Sequence, residues 1–136
     1  MRLIKILLAP KLLFLLALLF TISITVGSLI STSSIPKFKV AVSDKLIHSV
    51  SYFILMVLWF AFVISKYKKV NYKVLLMITA SLAFVYGIII EVLQGVFTSS
   101  RTADIFDILA NGMGIIFAAF LLIVFQRNFI KLKSKN

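Results

Sequence analysis

Four long apolar runs constrain this chain more than any other feature of its sequence. An α-helix needs about 20 predominantly apolar residues to cross the hydrocarbon core of a bilayer, and each run is near or above that length. Only 14% of the 136 residues are charged and 62% are hydrophobic, which leaves too few polar groups to cover a soluble surface. The sequence therefore predicts an all-α membrane protein, a single transmembrane domain over residues 1–136. The predicted spans are residues 12–30, 46–65, 74–97 and 105–126.

The first apolar run has a second interpretation, because Arg2, Lys5 and Lys11 precede it as basic residues precede the apolar core of a secretory signal. No clear small-x-small cleavage site lies before Pro36. We therefore expect an uncleaved first span, with cleavage as the alternative. In both cases residue 31 and those after it emerge on the same side of the membrane.

The distribution of basic residues predicts the orientation of the helices. Segments on the cytoplasmic side of a membrane protein carry an excess of Lys and Arg. The amino-terminal segment, the second connection and the carboxyl-terminal tail hold eleven of the 15 basic residues, and the other two connections hold four. We therefore expect an antiparallel bundle with both termini in the cytoplasm. The eleven are Arg2, Lys5, Lys11, Lys66, Lys68, Lys69, Lys73, Arg127, Lys131, Lys133 and Lys135.

The formal net charge of +11 does not indicate a nucleic-acid partner, because the basic residues lie between the apolar runs instead of along one helix face. This placement favours anionic headgroups, so membrane lipid is the predicted partner. The sequence has no cysteine, which excludes disulfides and thiol catalysis. A homo-oligomer is an open alternative, since a small bundle can complete its site by dimerising.

Polar residues that are rare elsewhere concentrate near the predicted outer ends of three helices. Three of the four acids lie in the segment EVLQGVFTSSRTADIFDILANGMG, residues 91–114. At 3.6 residues per turn, the polar residues form one stripe on each helix. The stripes comprise Asp44, His48 and Tyr52 on the second helix, Gly87, Glu91, Gln94 and Gly95 on the third, and Asp104, Asp107, Asn111 and Gly114 on the fourth.

The depth of these stripes predicts a shared pocket. A charged side chain inside a bilayer costs about 2.5 to 3.5 kcal/mol near a helix centre, so we expect the polar groups to face one another around an outward-facing pocket. The alternative is a satisfied polar core that fixes the register of the helices. Small residues allow close helix approach, and the predicted packing positions are Gly87, Gly95, Gly112 and Gly114.

Individual polar residues have defined chemical uses, each with a plain structural alternative. His48 can act as a general acid or base near neutral pH, or form a hydrogen bond with Asp44 one turn away. Arg101 can bind a phosphate or carboxylate through two hydrogen bonds, or pair with Asp104 or Asp107.

A metal site is the less favoured use of the same residues. One histidine with scattered carboxylates lacks the close spacing of a strong zinc motif, so we expect no bound metal and no other cofactor. The ligands on offer are oxygens of Asp44, Glu91, Asp104 and Asp107 and a nitrogen of His48.

The segments DKLIHSVSYFIL, from residue 44, and EVLQGVFTSSRTADIFDILANGMG resemble the VanZ-like family, small bacterial membrane proteins named for a teicoplanin-resistance protein. The family pattern runs Asp-Lys-x-x-His-x-x-x-Tyr/Phe, Glu-x-x-Gln, Arg, then Asp-x-x-x-Asn-x-x-Gly. The chain departs from it at Ser99 and Ser100, where many relatives carry Pro-Gly, and at Ala118, where they carry another glycine. The matching positions are Asp44, Lys45, His48, Tyr52, Glu91, Gln94, Arg101, Asp107, Asn111 and Gly114.

The resemblance implies a bacterial plasma-membrane protein, with reduced susceptibility to teicoplanin-type glycopeptides in some members and no established reaction. We expect cell-envelope homeostasis or glycopeptide tolerance, through binding of a lipid headgroup or lipid-linked wall precursor whose anionic part meets Arg101 and Lys45. The other expected ligand-binding residues are Asp44, Tyr52, Gln94, Asp104 and Asn111, while His48, Glu91 and Asp107 tune or catalyse.

Other functions stay open beside this one. A hydrolase or transferase acting on an envelope lipid would use His48 with Asp107 or Glu91 as acid and base. A small carrier or proton-coupled pathway would be built on Glu91, but the inner halves of the second to fourth spans are almost uniformly apolar. The last alternative is a structural partner protein.

Overall fold

The computed structural model describes residues 9–30, 44–67, 70–98 and 103–126, and these form four α-helices. Each helix is long and apolar enough to cross a membrane, with a mean hydropathy of 2.2 to 2.4 over an 18-residue stretch. The prediction of a helical chain with four helices of spanning length is therefore confirmed, and the helix boundaries lie within about two residues of the predicted ones. The helices are α1 (Pro10–Leu29), α2 (Asp44–Lys66), α3 (Tyr72–Phe97) and α4 (Ile105–Val124).

Particular residues fix where three of the helices begin. Pro10 lies in the first turn of α1, where its missing N–H is not needed. The side chain of Asn71 accepts a hydrogen bond from the Lys73 N–H (2.9 Å) and caps α3. Asp104 caps α4 in the same way, accepting from the Phe106 N–H (2.8 Å). The cap fixes one of the predicted site carboxylates at the start of α4.

The most extensive packing between the described helices joins α2 and α4. Phe60 of α2 and Ala118 of α4 belong to this core, and each is 0% exposed. The two helices approach closely at Gly114, where an added Cβ would overlap the backbone carbonyl oxygen of Ser49. Small residues provide such contacts in membrane bundles. Helix α1 packs mainly on α2 and makes a smaller contact with α3.

Contacts between helices show which ends lie together. Lys45 of α2 bonds Asp104 at the start of α4, so these two helices begin at the same end of the bundle. The hydroxyl of Tyr72, at the start of α3, donates to the Leu122 carbonyl oxygen near the other end of α4 (2.6 Å). The part of α3 that carries Glu91 therefore lies where α2 and α4 begin. We call this the polar end, because it collects residues of all three predicted stripes.

Large apolar side chains cover the outside of the bundle. Met77, Leu82, Val96 and Met113 are between 65% and 71% exposed. Such a surface suits lipid as its solvent, because exposed apolar patches of this extent are rare on monomeric soluble proteins. The polar groups that decide function are consequently to be sought inside the bundle and not on its outer faces.

Candidate functional site

Side chains from α2, α3 and α4 form a polar cluster at the polar end, and part of it is closed to the surroundings. Glu91, Gln94 and Asn111 are each 1% exposed, and Tyr52 is 2% exposed. Burying so many polar groups is costly unless they pair with one another, with water or with a ligand. The polar cluster comprises Asp44, Lys45, His48, Tyr52, Glu91, Gln94, Asp104, Asp107 and Asn111.

Lys45 joins the starts of α2 and α4. Its ammonium group donates to a carboxylate oxygen of Asp104 and to one of Asp107. The Lys45 ammonium, together with the Phe106 N–H, holds the pKa of the Asp104 carboxyl below its usual range. The sequence predicts that Lys45 meets the anionic part of a ligand, whereas in the structure two carboxylates already surround its charge.

His48 lies between Asn111 and Asp107. Its Nδ1 is 3.1 Å from the amide oxygen of Asn111, and because that oxygen can only accept, Nδ1 is the donor. A neutral imidazole then keeps a lone pair on Nε2, which faces Oδ2 of Asp107 at 3.9 Å. The hydrogen bond to Asn111 thus sets the direction of the ring, with Nε2 on the side of Asp107.

Glu91 is bonded on one side only. Its Oε1 accepts a hydrogen bond from the backbone N–H of Asp104 (3.1 Å). Its Oε2, the Tyr52 hydroxyl and the Gln94 amide nitrogen are buried and have no hydrogen-bond partner among the described residues. Each such group costs about 1 to 3 kcal/mol when left unsatisfied. Buried groups of this kind favour a site that takes up polar ligand atoms or water.

Two glycines of α3 let neighbouring groups lie against the helix backbone. A Cβ added at Gly87 would lie 2.9 Å from Cε1 of Tyr52 and 3.4 Å from the amide nitrogen of Asn111. At Gly95 it would lie 2.9 Å from both the Cβ and the backbone nitrogen of Ala103. The first glycine admits the cluster's own side chains, and the second admits the chain that leads into α4. Gly112 makes a looser contact, 3.3 Å from Cε2 of Phe84.

Three potential metal ligands converge in the polar cluster. One ligand atom each from Asp44, His48 and Asp107 lies within 4.8 Å of the others. The sequence offers these three among five potential ligands but does not reveal which of them converge, because Asp107 is 59 positions from His48 along the chain and meets it through the contact between α2 and α4. Among the described residues, Glu91 and Asp104 are not part of this group.

Arg101 lies outside the described residues, as do Ser99 and Ser100. Its predicted pairing with Asp104 or Asp107, and its predicted contact with an anionic ligand, therefore stay predictions.

Sequence reasoning missed a second group of polar atoms, which we call the hydroxyl network and which comprises Thr21, Thr25, Trp59 and Tyr86. The Trp59 indole N–H donates to the Thr21 hydroxyl (3.0 Å), and the Tyr86 hydroxyl lies 2.8 Å from that of Thr25. Three of its members border an apolar cavity of about 560 Å³ between α1, α2 and α3. Hydroxyl and indole groups within otherwise apolar runs are the signal that could have revealed it.

No family model, curated protein or solved structure matches this chain. Its class is therefore defined by the described residues, which form four helices of membrane-spanning length with a polar cluster at one end. These helices are compatible with a multi-pass membrane protein. The resemblance to the VanZ-like family stays a prediction that rests on the motif residues.

Proposed function

We propose that the chain crosses a bacterial plasma membrane four times, with neighbouring helices antiparallel and both termini in the cytoplasm. The eleven basic residues on the proposed inner side, against four on the outer side, support this orientation. The polar end then faces outward. A reporter that is active only in the cytoplasm, fused after Asn136, should be active; an inactive but intact fusion would reverse the orientation.

In this orientation the protein acts at the outer leaflet, as a VanZ-like protein of cell-envelope homeostasis or glycopeptide tolerance. Its role is to bind the headgroup of a lipid or of a lipid-linked wall precursor. The observation that carries the proposal is the set of buried polar atoms on Tyr52, Glu91 and Gln94 that have no hydrogen-bond partner among the described residues. Buried polar groups at membrane depth are costly and are commonly part of a site.

The chemistry of the residues divides the task of binding. Arg101 supplies a planar cation for a phosphate or carboxylate. Glu91, Gln94 and Tyr52 offer acceptors and donors for the hydroxyl and amide groups of a headgroup. Lys45 holds Asp104 and Asp107 together and so acts on the shape of the pocket more than as a receptor for anions.

A second candidate, a hydrolase or transferase acting on an envelope lipid, is favoured by one observation. Asn111 accepts from Nδ1 of His48 and so leaves the lone pair on Nε2 to take a proton as a general base, with the carboxylate of Asp107 3.9 Å away. Under this proposal His48→Gln abolishes turnover of the lipid while the variant still inserts normally. Full turnover by His48→Gln would remove the candidate.

The leading proposal is tested by teicoplanin susceptibility of bacteria that express the chain. Arg101→Gln and Glu91→Gln should return susceptibility to that of cells lacking the protein. Met77→Leu is the matched control, because its side chain is 69% exposed on the outer surface and far from the cluster in sequence. If both variants reach the membrane in normal amounts and protect as well as the unaltered chain, the assignment fails.

A further inference from the structure

We propose that Asp44, His48 and Asp107 bind a divalent cation at the polar end. One ligand atom of each lies within 4.8 Å of the other two. Asp44 and His48 lie one turn apart on α2, and Asp107 lies in the first turn of α4. One imidazole nitrogen with two carboxylate oxygens suits a divalent metal such as Zn²⁺ or Mn²⁺ better than Ca²⁺, which prefers oxygen alone.

The orientation of the His48 ring is a second observation that supports the metal site, separate from the clustering of carboxylates. Asn111 accepts from Nδ1 at 3.1 Å, and such a hydrogen bond to one ring nitrogen is how proteins aim the other nitrogen at a metal. The lone pair on Nε2 then faces a carboxylate oxygen of Asp107 at 3.9 Å. Two electron-rich atoms so placed repel each other unless a proton or a cation lies between them.

The two oxygens of Asp107 are used differently, and this division prepares one of them for a metal. Oδ1 accepts from the Lys45 ammonium, which holds the carboxylate in place. Oδ2 points to the side of His48. The side chain of Asp107 is 9% exposed, so its position is set by these neighbours and not by solvent.

The distances fit a metal with small adjustment. Ligands at about 2.1 Å from a metal are about 3.4 Å apart in a tetrahedral site and at most about 4.2 Å apart across an octahedral one. The separation of 3.9 Å between His48 and Asp107 falls between these values. Asp44 is the exposed member at the start of α2, and its ligand atom, which lies within 4.8 Å of the other two, has to close by at most about 1.4 Å to reach the tetrahedral spacing. Its exposure also gives the cation a route from the outside.

The charges of the cluster favour a cation there. Asp44 and Asp107 bring two carboxylates to the proposed site, and the Lys45 ammonium bonds Asp107. A divalent cation between these two carboxylates offsets their negative charges. This site goes beyond the proposed function, because it requires no lipid and can be measured with the metal alone.

Equilibrium binding of Mn²⁺ and Zn²⁺ to the purified full chain in detergent micelles, after chelator treatment, tests the site. We expect saturable binding of one ion per chain, followed by the electron paramagnetic resonance signal of free Mn²⁺ and by titration calorimetry for Zn²⁺. His48→Gln and Asp107→Asn should each weaken binding by about tenfold or more. Asp104→Asn is the matched control, because it too removes a carboxylate partner of Lys45 but lies outside the ligand set. Its affinity should stay within about twofold of the unaltered chain.

Two results would overturn the proposal. One is the lack of saturable binding by the folded, unaltered chain. The other is an equal loss of affinity in Asp104→Asn and Asp107→Asn, which would indicate general attraction to an acidic surface. Circular dichroism and size-exclusion chromatography establish that each variant is folded. If Asp107→Asn fails to fold, Asp44→Asn decides the matter, since Asp44 is exposed and its loss should weaken binding without disturbing the core.

Discussion

The polar cluster and the hydroxyl network both place polar atoms inside an apolar bundle. The two groups differ in charge and in how completely their atoms are hydrogen-bonded. In the hydroxyl network the groups are neutral and paired: the Trp59 indole N–H bonds Thr21, and the Tyr86 hydroxyl lies 2.8 Å from that of Thr25 and 3.1 Å from the Thr21 carbonyl oxygen. The polar cluster also contains acidic and basic groups, and Glu91 keeps one oxygen without a hydrogen-bond partner among the described residues.

From this difference we propose that the hydroxyl network serves helix association and that the polar cluster serves ligand binding. Helix association in lipid gains from neutral hydrogen bonds, which are worth about 0.6 to 2 kcal/mol each. Ionisable groups with unpaired atoms lower stability, so a bundle that needs helix contacts alone has no reason to keep them. The hydroxyl network therefore joins α1 to the other helices, and the polar cluster is the place where a ligand is expected.

The largest effect on stability is expected at Gly114. The close approach of α2 and α4 at this residue positions the polar cluster. Gly114→Ala places a Cβ on the Ser49 carbonyl group, so α2 and α4 have to move apart. We expect destabilisation by about 3 kcal/mol or more, or loss of the folded protein. Unfolding by sodium dodecyl sulfate in mixed micelles, followed by the fluorescence of the single tryptophan, measures it.

Gly27→Ala is the control for this substitution. A Cβ at Gly27 meets no atom within 4 Å, so this variant should be unchanged or gain up to about 1 kcal/mol of helix propensity. Equal stability of the two variants would mean that α2 and α4 do not touch at Gly114, and the geometry of the polar cluster would have to be revised.

The next largest effect is a difference in stability between the Phe variants of Tyr52 and Tyr86, whose ring centres lie 6.1 Å apart. Tyr86→Phe removes a hydroxyl with two partners and should cost about 1 kcal/mol. Tyr52→Phe removes a buried hydroxyl without a hydrogen-bond partner among the described residues, so the free energy of unfolding should stay the same or rise slightly.

The same unfolding assay in micelles decides between the two tyrosines. A larger loss of stability in Tyr52→Phe than in Tyr86→Phe would contradict the claim that the hydroxyl network stabilises the bundle more than the polar cluster does. The variant of Tyr52 should instead show its defect in teicoplanin susceptibility, where Tyr86→Phe retains the behaviour of the unaltered chain.

Hydropathy and helical periodicity were sufficient to predict the four helices and the residues that gather at the polar end. They depend on local sequence, which fixes both the length of a span and the face on which a residue lies. Pairings could not be predicted, because they depend on how closely two helices approach. The sequence offers Lys45 as a receptor for anions, but the cap at the start of α4 brings Asp104 within its reach. The sequence left open whether His48 meets Asp107 or Glu91, and the contact between α2 and α4 brings it to Asp107.

The smallest expected effect is a difference between the two regions in how their contribution to stability depends on pH. The Lys45 ammonium, with the Phe106 N–H, lowers the pKa of Asp104 below the ordinary 3.8. The unfolded chain therefore takes up a proton first as pH falls, and the stability that Asp104 contributes above its ordinary pKa is lost as pH falls through its lowered pKa.

Asp104→Asn keeps a capping side chain but lacks this charge, so its stability deficit at pH 7 should shrink steadily below about pH 4. Asp104 is exposed enough for solvent to screen the pair, so the change is small. Tyr86→Phe removes a hydroxyl whose hydrogen-bond partners are neutral. Its loss of stability, measured by unfolding in micelles, should therefore be the same at pH 7 as below about pH 4. If the loss of stability in Asp104→Asn is also independent of pH, the charge of Asp104 contributes nothing to stability. The contrast between a charged and a neutral region of the bundle then rests on Glu91, His48 and Asp107 alone.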